Sequence, residues 1–242
     1  MPSYMQGIPD TNPSYPMFWG DNPLATADAF AAYDFSVVGD QTGHGYDLRG
    51  PSPLPLGPTT GLVLPGGQSG ISNGLVPPLD ATIILAGYVA PSVIASDPAG
   101  DIITCSDAAT ASGFGIRYNP ANKWLQGRVL TTAGVAETVP LIRNPGEPFA
   151  LCFRTWTSVA APLANLRGNK SDGGTSGLIG TRNAPLKEFR FGGTYSATPG
   201  LPCTLLACSI NNGLLLQAVM DARIAIMRQL VLDLYGVNIP TA

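Results

Sequence analysis

Few residues in this chain could do covalent chemistry. GISNG, residues 70–74, fits the G-x-S-x-G pattern of a hydrolase nucleophile elbow, with Ser72 at the nucleophile position. Such an elbow exposes its serine by turning from a strand directly into a helix. Here LVPPLD follows, and Pro77 and Pro78 oppose a helix start of that kind, so the segment reads as a Gly-rich turn. The one histidine, His44, lies in GHG ahead of Ser72, whereas hydrolases with this elbow run serine, acid, histidine. Glycoside hydrolysis needs a pair of carboxylates flanking the bond. Glu137, Glu147 and Glu188 are each isolated, and no strand carries acids at i, i+2 or i+4 on one face. GNKSDGG, residues 168–174, has Lys170 and Ser171 without the spacing of a phosphate-binding loop. The expectation is a protein that is not an enzyme.

Metal chemistry is equally thin. Cys105, Cys152, Cys203 and Cys208 include no C-x-x-C pair, so neither a structural zinc site nor a thioredoxin-like motif is present. Three of the four sit in apolar runs and read as small buried hydrophobes of a reducing compartment. Cys203 and Cys208 are five apart, which on a regular strand points them to opposite faces and excludes a disulfide between them. No cofactor is expected. A loop-bound calcium ion stays open, with oxygens from loop carbonyls and Asp40, Asp47, Asp97, Asp101 or Asp172, although no EF-hand loop is present.

The elements that would position any site follow from composition. Of 242 residues, 29 are Gly and 23 Pro, so the chain turns often and is not mostly helix. Charged residues make up 12%, about half the usual share, while 45% are hydrophobic, which excludes the signature of disorder. A net charge of −3 argues against a polybasic nucleic-acid binder. The first basic residue is Arg49, so the start does not read as a secretory signal. The most apolar window, residues 81–95, is too short to span a membrane and contains Pro91. No membrane insertion is expected.

Three zones are legible. Residues 1–30 carry five prolines in their first 23 positions together with Tyr4, Tyr15, Phe18 and Trp19. Proline favours extended backbone, so this is an arm whose aromatic residues bury against either its own domain or a partner. Residues 31–209 read as short strands bounded by Gly, Pro, Asn or Asp: AAYDFSVV, TGLVLP, ATIILAGYVA, DIITCS, FGIRY, KWLQGRVL, AETVPLI, FALCFRTW, GLIGT, EFRFGG and TLLACSI. In EFRFGG, Phe189 and Phe191 share one face and Glu188 and Arg190 the other, while FALCFRTW is apolar on both. Residues 210–242 hold the one convincing helix, 214–235, with Asn211 or Asn212 as its cap and Gly236 closing it. Val219, Met220, Ile224, Ile226, Met227, Leu230, Val231 and Leu234 should form its packing side. Arg223 falls inside that arc, its stem lying on apolar surface and its head reaching water or a carboxylate.

With those strands in view, the run AYDFSVVGDQTGHGYDLRGP from Ala32 resembles the opening of concanavalin A-like (laminin-G-like) domains of bacteriophage virion proteins. Asp40, Thr42, Gly43 and Gly45 sit at the places of its D-x-[ST]-G-x-G turn. GLVLPGG, EFRFGG and the closing strand, turn and helix of residues 204–237 resemble later parts of the same domain. The resemblance implies an all-β fold, a two-sheet antiparallel jelly-roll-like sandwich with an extended N-terminal arm and one C-terminal helix packed on it. It also implies a non-enzymatic virion structural or attachment protein of tail fibre, baseplate or capsid decoration, assembled in the host cytoplasm. Its partners would be other virion proteins met through Tyr4, Tyr15, Phe18 and Trp19, a host-surface glycan, and further copies of itself. The alternative is a free carbohydrate-binding or carbohydrate-cleaving protein of the same fold. Lectin sites stack a sugar on an aromatic ring, which makes Trp124 and Trp156 the candidates, although both read more readily as core.

Overall fold

A computed structural model describes residues 22–67, 69–96, 99–133, 136–143, 146–157, 162–168, 175–177, 181–195 and 199–240. Tyr4, Tyr15, Phe18 and Trp19 lie outside the described residues. In chain order the strands are β1 (Ala29–Tyr33), β2 (Leu56–Gly57), β3 (Gly61–Leu64), β4 (Ser69–Ser72) and β5 (Ala81–Tyr88), followed by a one-turn helix α1 (Pro91–Ala95). Then come β6 (Gly100–Thr104), β7 (Phe114–Asn119), β8 (Trp124–Leu130), β9 (Ala136–Arg143), β10 (Phe149–Thr157), β11 (Pro162–Gly168), β12 (Thr175–Gly177), β13 (Arg190–Gly193), β14 (Cys203–Asn212) and helix α2 (Gln217–Tyr235). Sheet A is eight-stranded, in the order β12-β11-β10-β5-β14-β3-β2 with β1 also paired to β14. Sheet B is six-stranded, in the order β4-β13-β6-β7-β8-β9. The expected two-sheet antiparallel sandwich with a C-terminal helix is therefore the observed fold.

The two sheets meet over Tyr33, Phe35, Phe114, Phe153, Phe189 and Phe191, with aliphatic residues between them. Helix α2 covers the other face of sheet A. Met220, Ile224, Met227, Leu230 and Val231 pack there on Ile84, Ala86, Ala150, Cys152, Leu206 and Ala207. This explains the apolar runs of β5, β10 and β14, since a strand buried on both faces cannot alternate. Along β10, Phe149, Leu151 and Phe153 enter the inter-sheet core while Ala150 and Cys152 lie under the helix.

Several details depart from the sequence reading. Helix α2 starts after Leu216, because Asn211 and Asn212 are still paired in β14. Asn211 Nδ2 donates to Thr82 O at 3.3 Å instead of capping a helix. The far end is as expected, with Gly236 at φ 65° and its amide bonded to Leu232 O. The buried stripe of α2 is narrower than anticipated, and Val219 and Ile226 are exposed. Arg223 holds the centre of that stripe; its guanidinium bonds Asn211 Oδ1 and pairs with Asp28 Oδ1 at 2.5 Å. Residues 34–38 of AAYDFSVV form a loop, and β2, β4 and β11 lie outside the expected strands. GISNG is only partly a turn: Gly70, Ile71 and Ser72 lie in β4, which pairs with β13 through Ile71↔Phe191 and Ser72↔Arg190, and the chain turns after Ser72 with Gly74 at φ 73°.

Cys203 and Cys208 both face the inter-sheet core. A bulge between Leu205 and Ala207 adds one residue to β14 and rephases its alternation, which the five-residue spacing alone could not reveal. All four cysteines are free and buried, and burial pushes the thiols of Cys105 and Cys152 up to about 12. A thiolate is the reactive form. A thiol-specific reagent is thus expected to label none of the four in the folded protein and all four in denaturant; rapid labelling without denaturant would contradict this packing.

Candidate functional site

With α2 on sheet A, no helix among the described residues packs on the outer face of sheet B, although Thr104, Asp101 and Gln126 on it are buried. Its residues are the alternate positions that do not enter the core. On β7, Phe114, Ile116 and Tyr118 point inward, so Gly115, Arg117 and Asn119 point out. On β8, Leu125 and Val129 are core, so Trp124, Gln126 and Arg128 point out. Register brings these together across the sheet: Arg190 is opposite Thr104, Thr104 opposite Gly115, and Gly115 opposite Arg128. The next row places Asp101 opposite Arg117 and Arg117 opposite Gln126. Asn119 Nδ2 donates to Gln126 Oε1 at 3.2 Å, tying the two rows' rim together.

Asp101 reaches this face through a bulge. The register shifts between Asp101 and Ile103, so that Ile102 and Ile103 both bury in the core while Asp101 turns outward. The carboxylate is nevertheless only 3% exposed. Its surroundings are mixed: burial raises its pKa, against the opposing pull of Arg117, Arg128 and a hydrogen bond with Thr194. Burial also lowers the pKa of the Arg128 guanidinium, as does the charge of Arg117, while Asp101 works the other way. Three polar atoms of this group, Asp101 Oδ2, Arg117 Nε and Arg128 Nε, are buried and make no hydrogen bond. Leaving such atoms unmatched costs about 1–3 kcal/mol each, which marks the cluster as poor material for stability alone.

At the edge of the face, Arg190 lies 3.8 Å above the Tyr195 ring and donates to Thr194 O at 3.2 Å. Lys187 approaches the same ring at 5.6 Å and pairs with Asp107 at 3.8 Å. Gly115 lies between Arg117 and Arg128 in the register, and a Cβ there would sit 2.4 Å from Ile103 O and 2.7 Å from Thr104 Cα, so close strand packing admits no side chain. Trp124 is half-buried on this face rather than core. Trp156 is half-buried too, on the helix side of sheet A, with the Arg154 guanidinium 5.2 Å from its ring.

The remaining sequence candidates serve the loop after β1. Asp40 Oδ1 accepts from the amides of Ala32 and Thr42, and its Oδ2 accepts from Tyr46 N. Asp47 Oδ1 accepts from Asp40 N, and Gly43 and Gly45 take φ of 78° and 82°. The D-x-[ST]-G-x-G motif thus closes a loop through its own amides. His44 Nδ1 meets Phe30 O and Thr42 Oγ1, and Ser72 Oγ accepts from Gly74 N, so the two do not form a nucleophile–base pair. Asp97 and Asp172 lie outside the described residues, and Asp101 faces guanidiniums, which disfavour a cation. Among the described residues no three His, Cys, Asp or Glu side chains gather as metal ligands.

In the sequence Arg117 and Arg128 stand within the FGIRY and KWLQGRVL strands with nothing local to mark a role. Their position in the polar phase of two half-buried strands was the available signal; the register that joins them to Asp101 was not.

These features define a two-sheet antiparallel β-sandwich with one C-terminal helix. No family model matches the chain, and no curated protein matches it. Among solved structures it is similar to the botulinum neurotoxin serotype D binding domain, with 10% identity and a TM-score of 0.58 over 82% of this chain and 51% of that one. It is similar to the Ruminococcus gnavus IT-sialidase CBM40 bound to α2,3-sialyllactose, with 13% identity and a TM-score of 0.51 over 69% of this chain and 96% of that one. Trypanosoma rangeli sialidase gives 15% identity and a TM-score of 0.53, over 84% of this chain and 33% of that one. At these identities the likeness is one of fold.

Proposed function

We propose that this chain is a non-enzymatic attachment module that binds a glycan on the outer face of sheet B. The observation that carries the reading is the gathering of Arg117, Arg128, Gln126, Asn119 and Trp124 on the outer face of sheet B, in a chain with only 13 basic residues. Fixed polar groups beside an aromatic ring are what a sugar needs, hydroxyls being held by hydrogen bonds and the apolar ring face by stacking. The CBM40 with sialyllactose bound supports glycan recognition by a sandwich of this shape. Absence of enzymatic activity is inferred from the separation of Ser72 and His44 and from the isolation of the glutamates.

The test is a glycan array with the intact protein, followed by titration of the best ligand. Binding at about micromolar Kd is expected, as is a loss of about tenfold on Trp124→Ala, the worth of one stacked ring. Trp156→Ala on the opposite sheet should leave it unchanged. Equal losses for both, or release of product from a polysaccharide, would reject this reading.

By the resemblance of its motifs, we further infer that the module is carried in a bacteriophage virion, with Tyr4, Tyr15, Phe18 and Trp19 contacting neighbouring virion proteins. Leu24 is buried and Asp28 pairs with Arg223, so a deletion that spares the sandwich ends before Asn22. Deleting residues 1–21 should leave a folded glycan binder that fails to enter particles; normal incorporation would rule out anchoring by this segment.

A further inference from the structure

Around Asp101 the charges do not balance. Arg190 is committed to Tyr195 and to Thr194 O, and Lys187 to Tyr195 and Asp107. Among the described side chains, Asp101 is the carboxylate opposite Arg117 and the negative charge acting on Arg128, so two positive groups share one negative one in a half-buried setting. Water screens such an excess poorly when the groups are withdrawn from it, and a bound anion would neutralise it. The unmatched atoms are complementary in kind: two guanidinium Nε–H donors and one carboxylate oxygen that can only accept. A ligand that satisfied all three would offer an anionic group to the arginines and a hydroxyl to Asp101.

We propose that this cluster selects acidic sugars, with Arg117 and Arg128 holding the carboxylate or sulfate and Asp101 accepting a neighbouring hydroxyl. The inference rests on the reading of this face as the binding surface and names the class of its ligand. Neutral sugars leave the arginines unmatched, and simple anions leave Asp101 unmatched. Sites built to pair with a polar group discriminate strongly against analogues that lack it.

Titrations of the intact protein with glucuronate, glucose and acetate test this. Glucuronate should bind at least about tenfold tighter than either of the others, and its affinity should fall as salt rises. Arg117→Ala and Arg128→Ala should each remove about tenfold of the glucuronate affinity and so shrink its margin over glucose. Asp101→Asn should bind acetate as well as or better than the parent while losing the preference for glucuronate over acetate. Should an alanine variant fail to fold, Arg128→Lys keeps the charge and should keep the salt dependence while weakening binding. Equal affinity for glucuronate and glucose in the parent protein, or an Asp101→Asn variant with an undiminished preference for glucuronate over acetate, would overturn the proposal. Tight binding of neutral array glycans that survives Arg117→Ala would overturn it and leave the glycan-binding reading standing. Selective glucuronate binding with a blank array would do the reverse.

Discussion

Phe191→Ala is expected to destabilise the protein by about 4 kcal/mol, lowering its midpoint of thermal unfolding by about 10 °C. Phe191 is fully buried and packs edge-on against two rings, Tyr33 at 5.9 Å and Phe35 at 5.7 Å. Those two rings stack on each other at 5.6 Å. Tyr33 ends β1 in sheet A and Phe191 lies in β13 of sheet B, so the trio ties the sheets together. A cavity here cannot collapse easily, because Tyr33 is held in place by its hydroxyl bond to Tyr46 O at 2.5 Å and by Asn73 Nδ2 at 3.1 Å. Phe191→Leu keeps most of the volume and should cost about 1 kcal/mol. Urea unfolding of the three proteins checks the order; an alanine variant as stable as the leucine one would mean that the ring contacts contribute little.

Gly200→Ala should cost about 3 kcal/mol and also impair ligand binding. A Cβ on Gly200 would lie 1.9 Å from Gly192 O and 2.2 Å from Gly192 C, contacts that only backbone movement can relieve. Gly200 is pinned from three sides. Its amide donates to Gly67 O at 2.6 Å, its carbonyl accepts from Gly67 N at 3.2 Å, and it lies in a parallel bridge with Asp101. Asp101 N in turn donates to Pro199 O, and Leu201 N to Asp101 O. Pushing residue 200 away from β13 therefore shifts the strand end that aims Asp101 at the arginines. Gly213→Ala is the control: its φ is 68° and a Cβ there meets nothing within 4 Å, so only backbone strain of about 1 kcal/mol is expected, with binding intact. Thermal unfolding and glycan titration on both variants separate the two effects; unchanged binding by a destabilised Gly200→Ala would show that this segment does not position the site.

Much of the fold could be read from local pattern. The alternation in EFRFGG predicted Phe189 and Phe191 inside and Arg190 outside, and the two-sided apolar run of β10 signalled a strand covered on both faces. Gly236 ended the helix as a left-handed cap should. Arg223 reached a carboxylate, one of the two outcomes its place in an apolar arc left open. The site was less legible, since Arg117, Arg128 and Asp101 appeared as strand residues or as one of several acids available to a cation.

The difference has a physical cause. Periodicity and turn residues act over a few positions, so the sequence alone determined where most strands lie, which of their faces are apolar, and that one helix closes the chain. Register, bulges and coverage depend on contacts between distant segments. Only the tertiary structure set β6 beside β7 with the extra residue that turns Asp101 outward, rephased β14 so that Cys203 and Cys208 share a core, and laid α2 over sheet A. That last placement made the outer face of sheet A a helix interface, while the outer face of sheet B carries Asp101, Arg117 and Arg128.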